Sequence, residues 1–244
     1  MKKMVDNSEL YVWVRRLNKI MNIVFYVNVA ITILLIYFQN DFVIKVQMVI
    51  SIIAIIGNFV NDYFVFPYAE KGNLERNMGN AFKEFFRSDI IEDNYYDNGL
   101  EPSVKKFIIN SFENILYTKT ILGHMFWRDI CKLVFYILVF LMCIFFVNSS
   151  NSLSIAVQTL FSTQYILGIA NNLIYCHRTN SLYESFYNEY NNHGFQELTL
   201  LGFAIEYEVL KSSHKTLINS KIYDKHKNEI EQKWGTIKKE LEII

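Results

Sequence analysis

Residues Val46–Phe66 read VQMVISIIAIIGNFVNDYFVF, an apolar run whose single formal charge, Asp62, stands near its end. As a helix rising 1.5 Å per residue the run is about 31 Å long, close to the thickness of a bilayer's hydrocarbon layer. Pro67 directly follows and is expected to stop it. Three more blocks share this character: about Ile20 to Phe38, Ile130 to Val147 and Leu153 to Cys176. Only QNDFVIK joins the first pair and only NSSNS the second, so each pair is expected to form a tight antiparallel hairpin. The fold class that follows is all-α: an integral membrane protein with four transmembrane helices in two hairpins, a helical cytoplasmic insert and C-terminal helices.

Composition agrees with that division. Of 244 residues 52% are hydrophobic, and 24 basic residues balance 24 acidic ones, yet the charges lie between the apolar blocks. Five basic residues precede the first block, eight fall in residues 67–129 and nine follow residue 176. The positive-inside tendency therefore predicts both termini and the insert in the cytoplasm of a multi-pass protein, with only the short hairpin loops outside. No cleaved signal peptide is expected, because the leading stretch is too long for a signal n-region and lacks a small-residue cleavage site. Cys131, Cys143 and Cys176 imply no disulfide framework.

Five regions result: an amphipathic N-terminal helix (1–19), a first transmembrane hairpin (20–66), a cytoplasmic helical insert (67–129), a second hairpin (130–176) and a helical C-terminal region (177–244). In the first, Leu10, Val14 and Leu17 recur at helical spacing beside Trp13 and Arg16, as in a helix lying in the headgroup layer or packed on the cytoplasmic domain. In the insert, Leu74, Met78, Phe82, Phe85 and Phe86 form one stripe, and Val104, Phe107, Ile108, Ser111, Ile115 and Leu116 a second. The turn-rich Asp93–Pro102 separates them. Near the C-terminus Ile230, Trp234, Ile237, Leu241 and Ile244 could seat a short coiled coil or pack on the rest of the cytoplasmic domain.

Catalytic signatures are missing from the sequence: there is no Gly-rich phosphate loop, GxSxG elbow, HExxH or CxxC. His124, His177, His193, His214 and His226 have no carboxylate or thiol at ligand spacing, so neither a metal nor a cofactor is expected, and no nucleic-acid motif is present. An enzyme acting on lipid or nucleotide ranks third among the functional classes.

The spans' polar residues are more informative, because lipid penalises them. In the second span Gln47, Ser51, Ala54, Asn58, Asn61 and Asp62 advance by threes and fours along one face. In the fourth, Ser154, Gln158, Ser162, Gln164, Gly168 and Asn172 fall in one half of the helical wheel. Two readings stay open. The faces may be read as interhelical hydrogen-bonding surfaces, with Gly57 and Gly168 permitting close approach. Alternatively Gln47, Ser51, Asn58, Asn61, Asp62, Gln158, Ser162, Gln164 and Asn172 line an aqueous path shared by several copies, with Asp62 forming a carboxylate ring that favours cations. The first and third spans, apolar apart from Asn22, Asn28 and Thr32, are expected to face lipid.

This plan, with KEFFRSDIIEDNYYDN (83–98) and FENILYTKTI (112–121) in the insert, resembles the bacterial four-transmembrane pore-forming effectors of anti-phage defence systems. These include the membrane component of Hailong-type systems and nucleotidyltransferase-associated effectors. The resemblance implies a protein of a bacterial inner membrane, silent until infection and then depolarising or permeabilising that membrane. Because four helices are too few to enclose a wide pore, a homo-oligomer in the lipid bilayer is expected, gated by a nucleotide-type signal or an operon-encoded protein acting on its cytoplasmic helices. No functional residue is carried over. The competing expectation is a membrane-anchored interaction subunit that recruits a cytoplasmic partner without conduction.

Overall fold

A computed structural model describes residues 10–37, 40–82, 99–146 and 165–243, and these are all-helical, with no strand among them. The helices are α1 (Val12–Tyr37), α2 (Asp41–Val60), α3 (Phe66–Phe82), α4 (Val104–Phe146), α5 (Tyr165–His193), α6 (Glu197–His214) and α7 (Ser220–Glu240). Local chemistry sets several ends. Asn40 is extended and its side chain accepts from Phe42 N–H at 2.8 Å, capping α2. Ser103 Oγ accepts from Lys106 N–H at 3.2 Å ahead of α4, and Asn219 Oδ1 from Ile222 N–H at 3.2 Å ahead of α7. Gly194, at φ +69°, supplies the left-handed residue that lets α5 end and the chain turn into α6.

Pro67 does not stop the second span. Helical backbone continues from Asp41 to Phe82, with a π-turn at Asn61–Val65 in which Phe66 N–H reaches Asn61 O. In a regular α-helix the proline ring meets the carbonyl four residues back; the wider turn just before Pro67 relieves that clash.

The chain divides into two compact units. One comprises Val12–Phe66 and Trp127–Asn171. Its first two helices form an antiparallel pair whose outer surface is apolar: Ile23 and Leu34 of α1, and Met48, Ile52 and Ile56 of α2, are all exposed. Phe135 and Leu138 of α4 are exposed as well. Among the described residues one helix, Asp41–Phe82, is long and apolar enough to cross a membrane, and only 6% of its most apolar stretch is buried. A soluble core helix would hide that surface.

The other unit comprises the residues up to Tyr11 with Pro67–Phe126 and Asn172–Ile244. Its core is a conventional helical one. Phe107, Ile108, Phe112, Ile115 and Leu116 of α4 are buried against Leu182 and Phe186 of α5, Leu200 and Tyr207 of α6, and Ile230 and Trp234 of α7. Phe112 stacks on Phe186 at 4.2 Å between ring centroids and meets Trp234 edge-on at 5.5 Å. The second insert stripe is thus interior. The seam Ile230, Trp234, Ile237 and Leu241 is likewise occupied by the unit's own core. Phe85, Phe86, Ile244 and most of the Asp93–Pro102 turn lie outside the described residues.

Candidate functional site

The polar face of α2 is turned onto α1. Gln47 and Asn61 are buried, and Ser51, Asn58 and Asp62 are half-buried along the same edge. Opposite them α1 presents Val14, Asn18, Met21, Phe25 and Asn28, a progression by fours and threes that keeps one face toward a neighbouring helix. Asn28, 1% exposed, donates through Nδ2 to Ser51 Oγ at 3.0 Å. Asn61 Nδ2 donates to Asn18 Oδ1 at 2.9 Å. Between these two ties Gly57 lies so close to Met21 that an added Cβ would run into its sulfur, and the glycine is what permits the approach. Five of the predicted site residues, Gln47, Ser51, Asn58, Asn61 and Asp62, are therefore gathered on one seam.

Asn172 belongs to the other unit, where its Oδ1 accepts from Thr216 Oγ1 at 2.9 Å. Gln158, Ser162 and Gln164 lie outside the described residues. The first apolar block was expected to face lipid apart from Asn22, Asn28 and Thr32; one face of α1 instead packs on α2, through Asn28 within that block and Asn18 just ahead of it. The three-and-four spacing from Val14 to Asn28 was the available signal, split between the basic stretch VRRLNK and the apolar run after it.

A second polar constellation sits inside the other unit. Lys211 Nζ lies 2.7 Å from Glu208 Oε2 and 3.4 Å from Glu70 Oε2. Tyr11 OH donates to Glu70 Oε1 at 2.5 Å, and Asn77 Nδ2 to Glu208 Oε1 at 3.4 Å. Asn110, fully buried, donates to Asn80 Oδ1 at 3.0 Å. Burial works against the Lys211 charge, but the two carboxylates more than offset it and its pKa is raised. The Tyr207 phenol, hydrogen-bonded to Thr118 at 2.8 Å, is pushed up chiefly by burial. The network fixes α3, α4 and α6 to one another; every member is held by partners, and none is a nucleophile beside a base.

A third group corrects the expectation that no histidine has a carboxylate at ligand spacing. His124 of α4 and His226 and Glu229 of α7 bring one ligand atom each to within 4.8 Å of one another. The imidazoles stack at 3.8 Å between centroids, and His226 Nδ1 is 3.1 Å from Glu229 Oε2. His226 and Glu229 share a helical face three residues apart, and His124 arrives from a helix remote in sequence, which no local pattern announces. Comparison with family models, curated proteins and solved structures finds no match to this chain.

Proposed function

We propose that the chain is a four-span membrane protein whose copies assemble into a pore or ion channel, acting as an effector of a bacterial anti-phage system and gated through its helical cytoplasmic unit. The observation that carries this reading is the α1–α2 pair: apolar outside, with a line of amides, a hydroxyl and the Asp62 carboxylate along its inner edge. Groups of that kind are costly in lipid and persist where they meet protein or water. The packing of Asn28 on Ser51 and of Asn61 on Asn18 then represents the closed arrangement. Opening exchanges those hydrogen bonds for water, and copies brought side by side complete a polar path that one hairpin is too small to enclose.

The test is membrane potential, followed with a voltage-sensitive dye in bacteria expressing the chain alone and with its genomic neighbours. Depolarisation that Asp62→Leu or Asn58→Leu reduces, at equal membrane insertion, supports conduction through the seam. Full depolarisation by both variants removes the seam from the path.

The rival reading is a membrane-anchored interaction subunit without conduction. The same two hydrogen bonds favour it, since they engage the seam's polar groups within a single chain. An unchanged potential in every combination selects it.

A further inference from the structure

We propose that His124, His226 and Glu229 form a binding site for a divalent transition-metal ion of the zinc class, joining α4 to α7 in the helical unit. Two imidazoles and a carboxylate are borderline nitrogen and oxygen donors, a set that suits zinc and its neighbours and disfavours magnesium and calcium, which prefer oxygen alone. The spacing fits as well. His226 Nδ1 and Glu229 Oε2 are 3.1 Å apart. Two donors each about 2.0–2.1 Å from one ion, at that separation, subtend roughly 100° at it, close to tetrahedral. His124 brings a third ligand atom from the facing helix, within 4.8 Å of the other two, and a small side-chain rotation would carry it onto the ion; the exposure of His124 and Glu229 leaves a fourth position to water.

Lys233 Nζ sits 2.7 Å from Glu229 Oε1, the oxygen the ion does not need. Its charge and that of Lys225 oppose a cation and limit the affinity. With His124 and Glu229 exposed the site is at the surface, and the effect of such an ion is to pin α4 to α7 three residues before Trp127.

The experiment uses the full chain in detergent, titrated with Zn2+ against a chromophoric chelator and separately with Co2+ followed by visible absorption. One Zn2+ per chain is expected, with Co2+ bands indicating nitrogen and oxygen ligation. His124→Ala and Glu229→Gln are each expected to weaken binding at least about tenfold, since changes to mere supporting groups already cost 10–100-fold. His193→Ala is the control: His193 pairs with Glu189 at 3.3 Å but joins no three-ligand group among the described residues, and its loss should leave the affinity unchanged. Thermal melting of the metal-free variants checks that each still folds, and Glu229→Gln carries the test if His124→Ala does not. No stoichiometric zinc in the wild type, or binding that survives His124→Ala and Glu229→Gln, overturns the site. So does equal loss in the control.

Discussion

Asn28 Nδ2 meets Ser51 Oγ at 3.0 Å, a single hydrogen bond between α1 and α2 made by a residue 1% exposed and one half-buried. Interhelical hydrogen bonds of this type contribute about 0.6–2 kcal/mol in membranes. Asn28→Leu is expected to destabilise the hairpin by an amount in that range. Reversible unfolding in detergent micelles measures it, and Asn22→Leu on the exposed side of α1 should cost nothing comparable.

Lys211 supplies the positive charge between Glu208 and Glu70, with side chains only 8–13% exposed across the three. Removing one partner from a buried ion pair costs about 3–5 kcal/mol, because the remaining charge is stranded. Lys211→Met should lose about that much in chemical denaturation. Adding Glu70→Gln and Glu208→Gln should restore part of it, and a triple variant no more stable than the single one would sink the account.

Phe112 is fully buried between Phe186 and Trp234. Phe112→Ala is expected to cost about 3–5 kcal/mol through lost transfer energy and the cavity left behind. Because Trp234 touches the same ring, Phe112→Ala and Trp234→Ala together should cost less than their sum, which a double-mutant cycle reads directly.

Acidity has a defined sign. His124 and His214 are both held below 6.5, chiefly by burial. As pH falls through 6.5 the unfolded chain binds protons that the folded one refuses, so stability falls with pH below that point. At the other end Tyr183, pushed up to about 12, and Tyr207, raised further, stay protonated while the unfolded phenols ionise near 10.0. Stability should therefore also fall as pH rises above 10.0. Melting temperatures across the range should form a plateau with both shoulders, and His214→Gln should flatten the acid one.

The amphipathic helices of the helical unit were legible because burial imposes a period that apolar residues must follow: Phe107, Ile108, Ser111 and Ile115 lie inside as their spacing indicates. Gln47, Ser51 and Asn61 were legible as one face for the same reason. Spacing cannot say what that face meets. The progression from Val14 to Asn28 straddles the basic stretch VRRLNK and the apolar run after it, so neither segment alone displays it. Pro67 misled because a local rule about ring clashes does not anticipate a π-turn just upstream that removes the clash. The seam ending at Leu241 could serve a neighbour or the chain itself, and periodicity is identical in the two cases. The histidine cluster depends on a contact between distant helices, which a single sequence does not encode locally.

The way Trp234 and Lys211 complete a core begun by Phe112 and Glu70 has a consequence for biosynthesis. The ribosome delivers the insert long before the C-terminal helices that cover it, with the apolar block of residues 130–176 emerging in between. Until residue 234 has left the exit tunnel, α4 carries a bare aromatic face and α3 an unmatched glutamate. A nascent chain interrupted before α6 therefore exposes an unfinished core, the kind of surface that chaperones and proteases recognise.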